Sequence, residues 1–297
     1  MRIITRPDFD GVVCSVLLYE ALEVTKPVKW AEPNEMQKGL VDIQPGDIIA
    51  NLPYNENCAL WFDHHITNRI DKPFKGAFQI APSAARIVFE YYKNAYKRDY
   101  SELINETDRI DSANLTLDEI LHPEKYPYVL ISMTIESREK SNAPYCDKLV
   151  ELLKKYDINE VCEDPEVKKR CLATIEQNKT YKVLLEEHTR LRKHVSLTDF
   201  RSFEKTPGGN RFLVYSLFPE TVVNIKIHYD NKDKEKVHVH VGHSIFNRNC
   251  NVNVGLMLSE FDGGGHRGAG GTRLHVKEAE KNIAKIIDIL LKNEKNE

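Results

Sequence analysis

MRIITRPDFDG, residues 1–11, places an apolar run directly before two aspartates and a glycine. The pattern predicts a short strand over residues 2–6 and then a helix over residues 12–22 (VVCSVLLYEAL). Apolar runs at 47–52 (DIIANL) and 58–62 (CALWF) predict two more strands. Strands that alternate with helical segments indicate an α/β fold, in which helices cover both faces of a mostly parallel sheet.

The rest of the chain predicts a second, smaller domain. Ser83 is predicted to cap a helix with the sequence SAARIVFEYYKNAYK, and residues 115–193 have a charged, mostly helical pattern. Within them, 165–193 predicts one long connecting helix. From residue 195 the pattern changes to predicted strands and ends with an amphipathic helix over 277–293; the strands are VSLTDF, NRFLVYSLF, TVVNIKIHY and KVHVHVGHS.

These patterns predict two domains. Residues 1–190 form an α/β domain together with its helical linker, and residues 195–297 form a smaller α+β domain. A length of 297 residues is sufficient for two such cores.

Composition narrows the class of protein. The 42 basic and 45 acidic residues give a net charge of -3, without the basic excess that is typical of proteins that bind long nucleic acids by charge.

The six cysteines include no C-x-x-C pair, which argues against a zinc knuckle and a disulfide scaffold and favours free thiols. The first residues lack an apolar signal core, and no apolar run approaches the length of a membrane span. We therefore expect a cytoplasmic protein.

Polar residues follow three of the predicted strands. They are the segments Asp8-Phe9-Asp10-Gly11, Asn51-Leu52-Pro53 and Asp63-His64-His65. In open α/β sheets, sites form beyond the carboxyl ends of the strands, so we expect these segments to line one crevice. Carboxylates together with imidazoles suit Mn²⁺ or a similar ion, whereas carboxylates alone favour Mg²⁺. Two ions about 3.5–4 Å apart can clamp a phosphoryl group.

Each of these motifs also has a simpler interpretation. A single D-x-D usually marks a solvated turn, adjacent histidines usually lie on the surface, and a glycine-rich segment is usually a tight turn. Their occurrence together at strand ends favours the functional interpretation.

Four segments together resemble the DHH phosphoesterase superfamily, in which a DHH domain precedes a DHH-associated C-terminal domain. They are PDFDG at 7–11, FDHH at 62–65, APSAARIV at 81–88 and GGGHRGAGG at 263–271. PNEMQKG at 33–39, followed by NLPY and FDHH, is most similar to the branch labelled exopolyphosphatase and to nanoRNase-like members.

The resemblance implies a metal-dependent phosphoesterase that hydrolyses phosphodiester or phosphoanhydride bonds with one or two Mn²⁺ or Mg²⁺ ions. The implied substrate is a small phosphorylated molecule: polyphosphate, a short oligonucleotide or a cyclic dinucleotide. An exopolyphosphatase-like activity is the leading interpretation. A nanoRNase or cyclic-dinucleotide phosphodiesterase, or a phospholigand sensor without catalysis, is the alternative. A homodimer is also left open.

The resemblance assigns roles to residues of the first domain. Asp8 and Asp10 match the first aspartate pair, one for each metal position, and His64 matches a metal-binding histidine. Asp63 would support the histidines and His65 would orient substrate or water. A further aspartate ligand is expected after the crossover helices. Asp108 is the best candidate for it, with Asp111 as its rival.

Two positions depart from the pattern of many relatives. Ile4 stands where they carry a histidine, and Asn51 stands where they carry a metal-bridging aspartate. An amide is neutral and binds a divalent ion more weakly than a carboxylate. We therefore expect the metal position of Asp8 to be weakened, which leaves one metal, two loosely held metals, or a sensing site.

In the second domain, backbone N–H groups of successive glycines can approach an anion closely, and arginine can bind phosphate through two hydrogen bonds. The predicted substrate-binding residues are Gly263, Gly264, Gly265, His266 and Arg267, with Arg248 as a further phosphate contact.

Overall fold

The protein is described by a computed structural model, which covers residues 1–135 and 142–297. The chain divides into two units, residues 1–115 with 123–173, and residues 116–122 with 174–297. The division falls inside the long helix α9 (Pro165–His188), earlier than the predicted boundary at 190–195. The reason is that the last turns of α9 pack within the second unit. The Tyr181 ring lies 5.8 Å from that of Phe200.

The first unit is built on a five-stranded sheet whose strands are all parallel, in the order β2-β1-β3-β4-β5. The strands are β1 (Arg2–Thr5), β2 (Lys29–Trp30), β3 (Asp47–Ala50), β4 (Leu60–Asp63) and β5 (Gly76–Phe78). The central strand β3 is buried throughout, as expected where helices cover both faces of a parallel sheet. The predicted α/β class and the mostly parallel first sheet are therefore confirmed.

The first unit also contains helices. In chain order they are α1 (Phe9–Ala21), α2 (Pro33–Gln37), α3 (Ala84–Tyr91), α4 (Ser101–Asp111), α6 (Pro127–Met133), α7 (Ala143–Leu153), α8 (Ile158–Glu163) and the first half of α9. Short 3-10 turns lie at Ile66–Asn68 and Pro123–Lys125. Helix α3 starts at the predicted Ser83 cap but ends earlier than predicted. The chain folds back after it, and the Tyr96 hydroxyl donates to the carbonyl of Val88 at 3.1 Å.

The second unit contains a six-stranded sheet in the order β10-β11-β9-β8-β7-β6. Its strands are β6 (Thr189–Arg192), β7 (Val195–Asp199), β8 (Val223–Tyr229), β9 (Lys236–His243), β10 (Gly264–His266) and β11 (Ala269–His275). Its helices are α5 (Leu117–Leu121), α10 (Leu213–Leu217), α11 (Val254–Ser259) and α12 (Val276–Lys292), besides the end of α9. Apolar side chains on one sheet face join α11 and α12 in one core, which includes Ile225, Val239 and Ile286. The other face of β8 and β9 carries polar residues.

Three segments differ from their predictions. The predicted strand over 210–218 is wrong, because Leu213–Leu217 is helix α10. A short apolar run cannot be assigned by periodicity alone, and here the Tyr215 hydroxyl fixes the helix by donating to the carbonyl of Gly242 at 2.8 Å. The long helix ends at His188, and the next four residues pair with β7 as β6. The glycine-rich segment is a β-hairpin, β10 to β11.

All six cysteines are free thiols, as predicted. In the part of the chain that the structure describes, no helix combines the length and the apolar character needed to cross a membrane.

Candidate metal centre

The three polar segments meet at the carboxyl edge of the first sheet, as predicted. Because β1, β3 and β4 are parallel, the residues that follow them emerge at one edge. The Asn51 amide donates to Asp8 Oδ1 at 3.0 Å, and His64 Nε2 lies 3.9 Å from Asp10 Oδ2. All three segments therefore contribute side chains to one cluster.

The Asp10 side chain is fully buried in this cluster. Its two oxygens accept hydrogen bonds from the backbone N–H groups of Ala84 and Ala85, at 2.9 and 2.8 Å, where helix α3 begins. Burial raises the pKa of Asp10 to about 6, an effect that the nearby His64 opposes and the charge of Asp8 reinforces. A cation bound beside it would favour the ionised form.

His64 presents one ring nitrogen to the acids. Its Nδ1–H donates to the carbonyl of Ala81 at 3.0 Å, so in the neutral ring Nε2 carries the lone pair. That Nε2 lies 3.4 Å from Asp111 Oδ2 and 3.9 Å from Asp10 Oδ2. It is buried and has no hydrogen-bond partner among the described residues. A buried acceptor nitrogen between carboxylates is what a divalent ion would satisfy.

The aspartate beside His64 is Asp111, the rival candidate, whereas the carboxylate of Asp108 has other partners. The carboxylate of Asp108 accepts hydrogen bonds from the Ser83 hydroxyl at 2.6 Å and the Arg86 Nε at 2.8 Å. The two acids are three residues apart on α4, so their side chains leave the helix about 60° apart.

The Asp111 side chain keeps 29% of its surface exposed. Loss of water around the carboxyl, together with the charges of Asp10 and Asp8, raises the pKa of Asp111 well above its ordinary value. The carboxylates of the cluster thus repel one another when no cation is bound.

Asp8 has a different environment. It caps helix α1, and its Oδ1 accepts from the N–H of Gly11 at 2.9 Å as well as from Asn51. Its Oδ2 lies 3.3 Å from Nε of Arg6, a residue that the sequence analysis missed. The only signal for Arg6 was a basic residue two positions before the aspartate pair. Asp8 is thus already balanced by a guanidinium and an amide.

Asn51 is buried and adopts a left-handed backbone conformation with φ of 56°. Asparagine tolerates this conformation better than most residues. Its Oδ1 has no hydrogen-bond partner in the described ranges, although its amide nitrogen is engaged by Asp8.

Asp63 holds the two histidines in place. It is fully buried, and its Oδ1 accepts from the backbone N–H of His64 at 2.9 Å and from Nδ1 of His65 at 2.8 Å. Its Oδ2 accepts from the Asn68 amide at 2.6 Å. The two imidazole rings lie 4.2 Å apart, centroid to centroid. Because a carboxylate only accepts hydrogen bonds, the contact with Asp63 places the proton of the neutral His65 ring on Nδ1.

The donor set fits one divalent ion. One ligand atom from each of Asp10, His64 and Asp111 lies within 4.8 Å of the other two. Two carboxylates and an imidazole suit Mn²⁺ and related ions. Asp63, His64 and His65 form an overlapping group, but Oδ1 of Asp63 already accepts hydrogen bonds from both histidines, whereas each oxygen of Asp10 accepts one backbone hydrogen bond.

The predicted substrate-binding residues belong to the second unit. Gly264, Gly265 and His266 form β10, and His266 is exposed. The Arg267 guanidinium makes an ion pair with Glu297, and the Arg248 Nε donates to the carbonyl of Ile245 at 3.0 Å. Gly263 packs against the backbone of β11, where a side chain would meet the carbonyl of Gly271.

Comparison with solved structures found three informative similarities. The chain is 30% identical to the pGpG-specific phosphodiesterase PggH from Vibrio cholerae over 99% of both chains, with a TM-score of 0.82. It is 13% identical to an exopolyphosphatase-related protein from Bacteroides fragilis over 97% of this chain and 91% of that one, with a TM-score of 0.55. It is 13% identical to RecJ from Thermus thermophilus in complex with Mn²⁺, with a TM-score of 0.60, over 98% of this chain and 52% of RecJ. The last two similarities show the fold alone.

Comparison with models of protein families and with curated protein sequences found no match.

Proposed function

This chain belongs to the DHH phosphoesterase superfamily, and from that premise we propose that it is a divalent-metal-dependent phosphodiesterase of short oligonucleotides. The observation that carries the proposal is the buried Nε2 of His64, which lies between the carboxylates of Asp10 and Asp111. These three residues would hold one ion. When bound, a divalent ion would polarise the phosphoryl group and make water a better nucleophile at neutral pH.

The remaining residues would act around that ion. Asp63 keeps the proton of His65 on Nδ1, so His65 can accept a proton from water or a hydrogen bond from substrate at its other nitrogen. Arg6 balances the charge of Asp8, the role that a second ion would otherwise fill. We therefore propose a centre that holds one ion firmly.

We propose a linear dinucleotide as the substrate class, because the similar PggH is named as specific for pGpG and the similarity covers 99% of both chains. The absence of a basic excess in the whole sequence agrees with a short substrate. Polyphosphate and cyclic dinucleotides are the competing substrates, and a phospholigand sensor is the competing class, favoured by the neutral Asn51 beside Asp8.

The test uses the full chain, stripped of metal and then supplied with Mn²⁺. Each protein is incubated with pGpG, a cyclic dinucleotide or polyphosphate, and the products are separated by chromatography. We expect Mn²⁺-dependent conversion of pGpG to mononucleotides. Asp111→Asn should lose at least a hundredfold in kcat/KM, whereas Asp71→Asn, at an exposed position of the same unit, should retain it.

Other outcomes would each exclude part of the proposal. Binding of pGpG without turnover would establish the sensor. Preferred hydrolysis of polyphosphate or of the cyclic dinucleotide would replace the substrate class. Full turnover in the presence of a chelator would show that hydrolysis does not require a metal ion.

A further inference from the structure

Three histidines lie side by side on the polar face of the second sheet. His238 and His240 are two residues apart on β9, so their side chains leave the strand on one face. His228 on β8 is the register partner of His238, which places the third imidazole on the same face. Two strands thus bring together three side chains of a type that ligates metals.

The rings form a compact group. The centroid of His228 lies 5.0 Å from that of His238 and 5.3 Å from that of His240, and the ring planes are within 17° of parallel. His238 and His240 are 5.8 Å apart. All three residues are half-buried, and one nitrogen of each lies within 4.8 Å of the other two.

Two of the rings are held in a defined tautomer by a second contact. His228 Nδ1 lies 2.8 Å from the carbonyl of Tyr229, which can only accept, so this nitrogen carries the proton. His238 Nε2 lies 2.7 Å from Oδ2 of Asp230. In the neutral rings the lone pairs are then on Nε2 of His228 and Nδ1 of His238. Histidines that ligate metals are characteristically supported in this way, by a carbonyl or a carboxylate on the other nitrogen.

The charges around the group are mixed. Asp230 supplies one negative charge beside His238. Lys226 and Arg273 occupy the register positions opposite His240 and His238. These cations oppose a hard ion that binds mainly by charge, such as Mg²⁺. They weaken the binding of an ion less when that ion forms strong bonds to neutral imidazole.

We propose that His228, His238 and His240 bind a divalent transition-metal ion of the zinc class on the polar face of β8 and β9. Zinc–nitrogen bonds of about 2.0–2.1 Å in a tetrahedral site require ligand nitrogens about 3.4 Å apart. The rings are stacked in the structure, so binding requires the three side chains to rotate until the lone pairs in their ring planes point to one ion. Three protein ligands leave a fourth position for water or an anion.

This site differs in chemistry from the centre in the first unit. Three neutral imidazoles select zinc, copper or nickel over magnesium and manganese, whereas the set of Asp10, His64 and Asp111 also accepts Mn²⁺. The two sites can therefore be separated by the choice of ion and by mutation.

The test measures Zn²⁺ binding to the full chain by competition with a chromophoric chelator, in a His64→Ala background that removes the first centre. We expect one Zn²⁺ equivalent. His240→Gln and His228→Gln should each weaken its Kd at least tenfold. The matched control is Lys226→Gln, which lies on the same face without a ligand nitrogen and should bind Zn²⁺ as well as the parent or more tightly.

Circular dichroism identifies any variant that has not folded, and the Co²⁺ absorption spectrum of the folded parent is a second readout. A tetrahedral nitrogen-rich site gives intense visible bands, which should be lost in both glutamine variants. The proposal is overturned if the folded parent binds no Zn²⁺ equivalent, if both glutamine variants bind as tightly as the parent, or if Lys226→Gln loses binding equally.

Discussion

Asp108 and Asp111, three residues apart on α4, are expected to have different roles, one in stability and the other in metal binding. We expect Asp111→Asn to weaken Mn²⁺ affinity at least tenfold, because a carboxylate facing His64 becomes a neutral amide. Asp108→Asn should instead lower the free energy of unfolding by about 1–2 kcal/mol, through its contacts with Ser83 and Arg86, and should retain the metal. Calorimetric Mn²⁺ titration and urea denaturation measure the two effects. The reverse pattern would return the ligand role to Asp108.

Asn51→Asp tests the position beside Asp8. The amide now donates to Asp8 at 3.0 Å, and a carboxylate there would face another carboxylate. We expect the metal-free variant to lose about 1–3 kcal/mol of stability, and its Mn²⁺ affinity or stoichiometry to rise, since a cation relieves the repulsion. Thermal denaturation with and without Mn²⁺ measures both. Identical metal binding in the variant and the wild type would place residue 51 outside the centre.

His266→Ala tests whether the exposed end of β10 contacts substrate. Since His266 belongs to the second unit, metal content should be unchanged, while KM for the proposed dinucleotide substrate rises or kcat falls several-fold. Steady-state kinetics together with metal analysis separate these effects. Unaltered kinetics would assign the glycine-rich segment a structural role only.

At the scale of elements, the close approach of β10 to β11 requires glycine at position 265. Gly265 has a φ of 151°, and a Cβ atom there would lie 2.3 Å from the carbonyl oxygen of Ala269. We expect Gly265→Ala to destabilise the protein by about 2 kcal/mol or more. Gly264→Ala is the matched control, because a Cβ there meets no described atom within 4 Å. Chemical denaturation of both variants provides the measurement, and equal stabilities would contradict the close approach of the two strands.

For the whole molecule, we expect each ion to stabilise a different unit. Mn²⁺ at a hundredfold excess over its Kd should add about 2.7 kcal/mol to the free energy of unfolding, by mass action. Hydrogen exchange should slow at the backbone amides that Asp10 binds at the start of α3. Zn²⁺ should slow exchange in β8 and β9. Protection by Mn²⁺ in the second unit alone, with none around Asp10, would contradict the assignment of the first centre.

The sequence by itself determined the three central strands of the first sheet and the meeting of the polar segments that follow them, but not the outer strands β2 and β5. Apolar runs that alternate with helices indicate parallel strands, and parallel strands bring Asp8, Asn51 and His64 to one edge whatever the detailed packing. The motifs around these residues also identified the superfamily, which the similarity to PggH confirms.

Only the tertiary structure decided between neighbouring residues and between helix and strand. Whether Asp108 or Asp111 faces His64 depends on the rotation of α4 about its axis, which packing sets. Arg6 balances Asp8 through a side-chain conformation that no pattern encodes. The apolar residues of α10 show neither a clear helical nor a clear strand period. The contact of Tyr215 with β9 therefore decides that this segment is a helix. The three histidines meet because the register of β8 against β9 pairs residues that are distant in the chain, and strand register is a property of the folded sheet.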